Sequence, residues 1–481
     1  MDRSNKKLLS NIIYSGLFQL LFLLELIITT PYVARIFTPK NLGLYGTSYT
    51  LAMFFVQLAS FGIPFSGSRR ISRVKNSEEQ SIEFFNIWKI QALTTIMSFF
   101  AYIFIVLIFI RNNRSIYLYQ SLLILSGLFD ISWFYIGIEE IKKNIFRNSI
   151  SKIITICLIF TLVKTDASLI LYTVINIIGV LLGNLTMILQ LKKYVSFKKF
   201  KKASIKKLFF ESFGLLIPQT VDSVKNVIPR LLLANLINYT QAGLYDQGLK
   251  IVTMLNGILQ SVTTAIMPRI TYLVSQGEIP EALKLVKKIT SIGVFVATTF
   301  ICGVFSVAEF FVPIFFGSGY DPVIFIMKVS SLSLICTSLS YILGKGLLLS
   351  MSKDSEYRKA TYVSTFVLIM SSLIFIKLFG ARGAAYSFII STVSYLLTIL
   401  KLLRNIISTK NIFQQILYSI TVIFIVVSIV TYLKGIIIIK SLWMGFIIYG
   451  AFAVVLSICC YFPVLKQSIK KVSIEVYEST R

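Results

Sequence analysis

Histidine is absent from this chain of 481 residues, and only five cysteines occur. Cys157, Cys302, Cys336, Cys459 and Cys460 lie inside apolar runs without metal-ligand spacing. No zinc or haem site is therefore expected, and no cofactor is implied. Charge is scarce as well: 14% of residues are charged, against about 25% in soluble domains. Acids are scarcer than bases, with 20 Asp and Glu against 48 Lys and Arg. No Gly-x-x-x-x-Gly-Lys-Ser/Thr phosphate loop occurs, nor any loop long enough to hold a nucleotide-binding domain. ATP-driven pumping by this chain alone is thereby excluded. An enzyme is not expected either, because a membrane glycosyltransferase would need a sizeable loop with clustered acids or histidine. The first apolar run begins at Leu8 and no small-residue cleavage site follows it, so no cleavable signal peptide is expected.

What the chain does have is apolar length. It is 56% hydrophobic with a mean hydropathy of +0.80, and β-barrel alternation is absent. The fold class is an all-α polytopic membrane protein. At about 20 residues per span, fourteen spans are expected, at 9–33, 42–65, 84–110, 115–138, 145–163, 167–191, 208–236, 241–266, 289–315, 321–350, 360–379, 384–403, 413–433 and 441–462. The net charge of +28 does not point to nucleic acid. The bases concentrate in alternate short loops, as the positive-inside rule requires of a chain with both termini cytoplasmic. The densest run, in 192–207, joins two six-span lobes, 1–191 and 208–403. Residues 404–481 add spans thirteen and fourteen and a cytoplasmic tail. That linker is most simply a topology signal lying on anionic membrane lipid.

One hairpin, Asp222 to Lys250, concentrates ionisable residues: Asp222, Lys225, Arg230, Asp246 and Lys250. A charge at the bilayer centre costs about 2.5–3.5 kcal/mol, so five of them require a bundle interior or a water-filled cavity. The hairpin also echoes the start of the chain. Pro31 to Arg35 followed by Gly43-Leu-Tyr45 parallels Pro229-Arg230 followed by Gly243-Leu-Tyr245, and Arg70-Ile-Ser72 parallels Arg269-Ile-Thr271. The offsets, 200 (43 to 243) and 199 (70 to 269), point to an internal duplication.

Polar residues recur at helical spacing in several spans. Span one has Asn11, Ser15 and Gln19, span two Tyr45, Tyr49, Gln57, Ser60 and Pro64, and span seven Glu211, Gly214, Pro218, Asp222 and Lys225. Span eight has Asp246, Lys250, Thr253, Gly257, Gln260 and Thr264, and span ten Lys328, Ser331, Ser338 and Lys345. Together they suggest one shared cavity, although small residues on membrane helices also serve close packing. Asp246 and Lys250, one turn apart, can equally neutralise each other. Lys225 and Arg230 outnumber the nearby acid Asp222, and that surplus suits an anionic ligand. For Glu25, Asp130 and Glu309, structural ion pairing and ion coupling are both open.

The stretch Asp130-Ile-Ser-Trp133-Phe-Tyr-Ile-Gly137-Ile-Glu139-Glu140-Ile-Lys142-Lys143, with Arg147 and Asn148, resembles the fourth-to-fifth helix signature of Wzx-type polysaccharide biosynthesis flippases. Thr30-Pro31-Tyr32-Val-Ala-Arg35, Pro218-Gln219, Gly243 to Lys250 and Met267-Pro268-Arg269 are similar to the same family. The resemblance covers roughly the first 290 residues closely and the remainder in topology. It implies the multidrug/oligosaccharidyl-lipid/polysaccharide exporter superfamily, with two six-helix lobes, a central cavity and alternating access. It further implies translocation of an undecaprenyl-pyrophosphate-linked oligosaccharide across the bacterial cytoplasmic membrane for capsule, exopolysaccharide or O-antigen assembly, with polysaccharide polymerase machinery as a partner. On that reading Arg35, Lys89, Lys225, Arg230, Lys250 and Lys345 bind the pyrophosphate and sugars, while Asp222, Asp246 and Glu25 serve ion coupling or gating. One departure stands out: where the family often has an acid before the basic residue that is Arg230 here, this chain has Pro229. The alternatives are a lipid II flippase, a cation-coupled multidrug exporter and a non-transporting scaffold of a polysaccharide-assembly complex. An exporter of cations would carry more acids than bases in its cavity, and here the bases are in excess.

Overall fold

The computed structural model describes residues 25–479 except 75, 197–204, 438 and 440, and describes the backbone alone for 141–147, 205–208, 215, 217–219, 222 and 462–479. Most of the first expected span and of the basic linker, and the side chain of Asp222, lie outside the described residues. The helices are α1 (25–36), α2 (Pro39–Ser60), α3 (Ile63–Ile71), α4 (Ser77–Phe109), α5 (Arg114–Ser126), α6 (Ser132–Gly137), α7 (Ile141–Leu162), α8 (Leu169–Leu191), α9 (Ile205–Leu236), α10 (Tyr239–Ser275), α11 (Ile279–Phe316), α12 (Asp321–Ser331), α13 (Ser333–Ser340), α14 (Asp354–Phe379), α15 (Ala381–Leu403), α16 (Thr409–Ile436) and α17 (Leu442–Ser479). No strand occurs among them. Nine helices among the described residues are long and apolar enough to cross a membrane, and α12 with the segment after it makes a further bent candidate. This is a multi-pass membrane protein. Each expected span from residue 42 onward falls on a helix or helix pair.

Besides the left-handed break at Phe61–Gly62 between α2 and α3, two spans differ from the continuous helices expected. The fourth is broken between α5 and α6, where Asp130 Oδ1 accepts from Ser132 N at 3.0 Å and restarts the helix. The tenth bends by 41° after Ser331 and ends in a π-helical stretch, Tyr341–Leu348. Summed hydropathy carries neither feature. The wide turns have a physical use, because α10 runs alongside this span. Thr337 donates to Asn256 Oδ1, and a Cβ on Gly346 would stand 3.4 Å from Thr263 Cγ2. From Thr337 to Gly346 the chain takes two more residues than from Asn256 to Thr263, and i→i+5 turns absorb them.

The chain divides into two compact units, Met1–Ala234 and Asn235–Arg481. In the first, α2 packs on α4 and α5, and α3 on α6. The core at the α3–α6 contact is built around Trp133, 1% exposed, with Phe84, Phe134, Ile71 and Ile87. Gln91 ties the broken span together: its Nε2 donates to Gly127 O (2.6 Å) and Asp130 O (2.7 Å), and its Oε1 accepts from Trp133 Nε1 at 2.8 Å. The chain needs glycine at Gly137, where a Cβ would lie 2.7 Å from Ile71 Cβ. The start of α9 also joins this unit. Ser212 shares a 2.8 Å hydrogen bond with Ser66, Phe209 and Phe213 lie against Phe61, and Glu211 accepts from Arg70 at 2.9 Å.

In the second unit α14 packs on α15, while α16 and α17 lie on α11. Their docking is polar as well as apolar: Gln415 donates to Ser291 Oγ (3.0 Å) and Ser457 to Thr299 Oγ1 (3.2 Å). Glu309 receives Lys328 (2.7 Å) and Lys434 (2.9 Å), so this acid is engaged in ion pairing.

The duplication read from the sequence is reproduced in local structure. α2 starts at Pro39 and α10 at Tyr239; each is N-capped by a side chain, Thr38 accepting from Asn41 N and Asn238 from Gln241 N. Each hairpin is then tied to the loop after its fifth long segment. Thr38 N donates to Asp166 Oδ1 at 2.9 Å, and Ala381 N donates to Gln241 Oε1 at 3.0 Å.

Candidate functional site

Exposed faces of the membrane helices are of two kinds. On α4 the exposed stripe is Leu93, Met97, Phe100, Phe104 and Leu107, the composition of a surface that meets lipid tails. On α10 the exposed or half-buried stripe is Asp246, Lys250, Thr253, Gly257, Gln260 and Thr264, while Gly248, Val252, Asn256, Leu259 and Thr263 are buried. The corresponding stripe on α2 is Tyr45, Tyr49, Met53, Gln57 and Ser60. Such stripes cost too much in lipid and are suited to water or a polar ligand.

In the first unit a carboxylate and an ammonium meet within these apolar helices. Lys152 on α7 donates to Glu25 Oε2 on α1. Tyr45 stacks on Tyr49 (5.7 Å between centroids, 15° between planes) and tilts against Tyr172 (4.8 Å). Sequence reading named Glu25 but not Lys152, because the two are 127 residues apart and nothing local marks the pairing. Lys152→Met is expected to destabilise the protein by about 3 kcal/mol, the low end for an orphaned buried charge, since both side chains keep about a quarter of their surface exposed (28% and 23%). Adding Glu25→Gln should recover most of that loss. Thermal unfolding of the two variants in detergent checks this, and a neutral single variant would mean the pair is solvated.

The other expected residues fall on several helices. Arg35 is exposed one residue before the end of α1. Lys89 is exposed on the α4 face that continues into Leu93 and Met97, where a lysine can extend to the membrane surface. Lys225 and Arg230 are half-buried on α9, five residues apart and so about 140° apart around the helix. Arg230 Nη1 donates to Asn226 O at 2.7 Å. Pro229 beside it lacks the N–H that would bond the carbonyl of Lys225. Asp246 and Lys250 share one face of α10, whereas Lys345 lies within the π-helical stretch, its Nζ 3.2 Å from Tyr341 Oη and 4.8 Å from that ring's centre. Its neighbour Gly346 meets Thr263, 13 residues on from Lys250 (250 to 263) and so about 20 Å further along α10. Lys250 and Lys345 therefore do not form one clamp. Among the described residues no group of three or more His, Cys, Asp or Glu could hold a metal ion.

Residues 8–274 match the sequence profile of the family described as "Polysaccharide biosynthesis protein". A curated relative from Escherichia coli (strain K12), named "Putative O-antigen transporter", is 21% identical over 422 residues, covering 84% of this chain and 99% of its own. The "Capsular polysaccharide biosynthesis protein CapF" of Staphylococcus aureus is 23% identical over 190 residues, 39% of this chain and 48% of its own. Among solved structures, a lipid II flippase MurJ in an inward closed conformation superposes with a TM-score of 0.73 at 14% identity, over 96% of this chain and all (100%) of that one. An inward-facing multidrug resistance MATE family transporter of the MOP superfamily gives 0.65 at 11% identity, over 79% and 94%. At these identities the structural likeness speaks to the fold.

Proposed function

Because the chain belongs to the polysaccharide biosynthesis protein family, we propose that it flips a polyprenyl-pyrophosphate-linked oligosaccharide across the bacterial cytoplasmic membrane, with both termini cytoplasmic. The observation that carries this reading is the charged and polar exposed stripe of α10, repeated in position on α2, within helices whose other exposed faces are apolar. The pyrophosphate carries two or more negative charges, and Lys225, Arg230 and Lys250 are the cations we assign to it. The sugars lie along the polar stripes, and the polyprenyl tail stays in lipid. Asp222, Asp246 and Glu25 are the acids we assign to coupling or gating. Energy comes from an ion gradient, the substrate's own gradient or the membrane potential, which is worth about 2.3 kcal/mol per charge per 100 mV. Arg35, Lys89 on the apolar face of α4, and Lys345, whose neighbour Gly346 meets α10 at Thr263, about 20 Å along that helix from Lys250, take lesser parts. On the far side the unit passes to polysaccharide polymerase machinery.

Surface polysaccharide in a deletion strain tests the reading. Polymer is expected to vanish, lipid-linked precursor to accumulate inside, and the wild-type protein to restore export. The likeness of fold to a lipid II flippase makes a lethal deletion with precursor of the cell wall accumulating the result that would favour that alternative. Unchanged polymer with raised drug sensitivity would favour a multidrug exporter.

A further inference from the structure

The pyrophosphate is common to every substrate of the proposed class, so the residues that sense the saccharide are a separate matter. We propose that Tyr49 forms the aromatic platform of the subsite that receives the saccharide; the assignment rests on the flippase reading. Tyr49 is 36% exposed on the polar stripe of α2, not on an apolar face like that of α4. Its ring is backed: Tyr45 stacks against it, and Tyr172 and Phe37 continue the aromatic row behind, at 4.8 Å and 5.5 Å between successive ring centres. A tyrosine braced in this way presents a rigid aromatic surface, and the apolar C–H face of a pyranose ring stacks on such a surface.

The cationic residues of α9 and α10 are left to the phosphates, and the two parts of the substrate have different partners.

The test uses the deletion strain complemented with wild type, Tyr49→Phe, Tyr49→Trp or Tyr49→Leu, reading surface polymer, lipid-linked precursor and the amount of protein in the membrane. Tyr49→Leu is expected to lower export about tenfold with precursor accumulating, while Tyr49→Phe and Tyr49→Trp stay within about twofold of wild type. Rescue by any aromatic ring is what a stacking role requires and what a merely space-filling one does not. Should Tyr49→Leu be missing from the membrane, Tyr49→Met repeats the test. Wild-type export by the aliphatic variant overturns the subsite and leaves the flippase standing, as does equal loss in the aromatic variants. If wild-type protein itself fails to restore export, the flippase reading falls, and the subsite with it.

Discussion

Arg230→Glu is expected to abolish polymer export while leaving the protein in the membrane at its normal level. Two unit charges about 4 Å apart at an effective dielectric near 20 interact by about 4 kcal/mol, and each 1.4 kcal/mol or so is tenfold in an equilibrium. Losing the attraction to one phosphate charge would thus cost about a thousandfold, and reversing it more. Arg230 is half-buried, and its Nη1 donates to the carbonyl of Asn226 on its own helix, a contact worth about 1 kcal/mol net. Arg230→Lys should retain partial export, since the charge survives while the forked geometry is lost. Surface polymer measured beside membrane-fraction immunoblots separates the two effects. Normal export by Arg230→Glu would remove Arg230 from the phosphate site.

Trp133→Ala should damage the fold by about 3 kcal/mol, the lower end for a large aromatic emptied from a core. The lower end applies because lipid is as apolar as the protein interior, so the transfer part of the loss shrinks and the packing part remains. Trp133 stacks on Phe84 at 5.4 Å, lies where a Cβ on Gly67 would come within 3.0 Å of its ring, and bonds Gln91, which in turn holds the carbonyls of Gly127 and Asp130. Truncation therefore opens a cavity and frees the side chain that closes the break in the fourth span. Trp133→Phe keeps most of the volume and loses the N–H, and should cost about 1–2 kcal/mol. Unfolding midpoints in detergent, ordered wild type, Phe, Ala, would bear this out; equal midpoints would not.

The helices were legible in the sequence because each is a long apolar run, and the duplicated hairpins because Gly43-Leu-Tyr45 and Gly243-Leu-Tyr245 keep their register. Hydropathy is a sum over a window, so it ran straight through Asp130 and Leu332, where one side-chain bond or one bend interrupts the helix. The role of Trp133 was hidden for a related reason. As part of a family signature it suggested function, whereas its 1% exposure and its bond to Gln91 make it an anchor. At the site, single residues such as Glu25, Asp246 and Lys250 announced themselves because charge is rare in apolar spans. Pairings did not: Lys152 finds Glu25, and Lys434 finds Glu309, only when distant helices come together. Level along a helix was equally hidden, and it separates Lys345 from Lys250.

The paired ties at Asp166 and Gln241 bear on where the chain can be cut or tagged. Thr38 and Asn41 are bound to the turn at Asp166, and Gln241 to the turn at Ala381, so an epitope or protease site inserted in 37–41, 164–167, 238–241 or 380–381 would tear a closed seam. The turn at 111–113 is exposed, and a reporter there leaves both seams shut while showing which side of the membrane that turn faces.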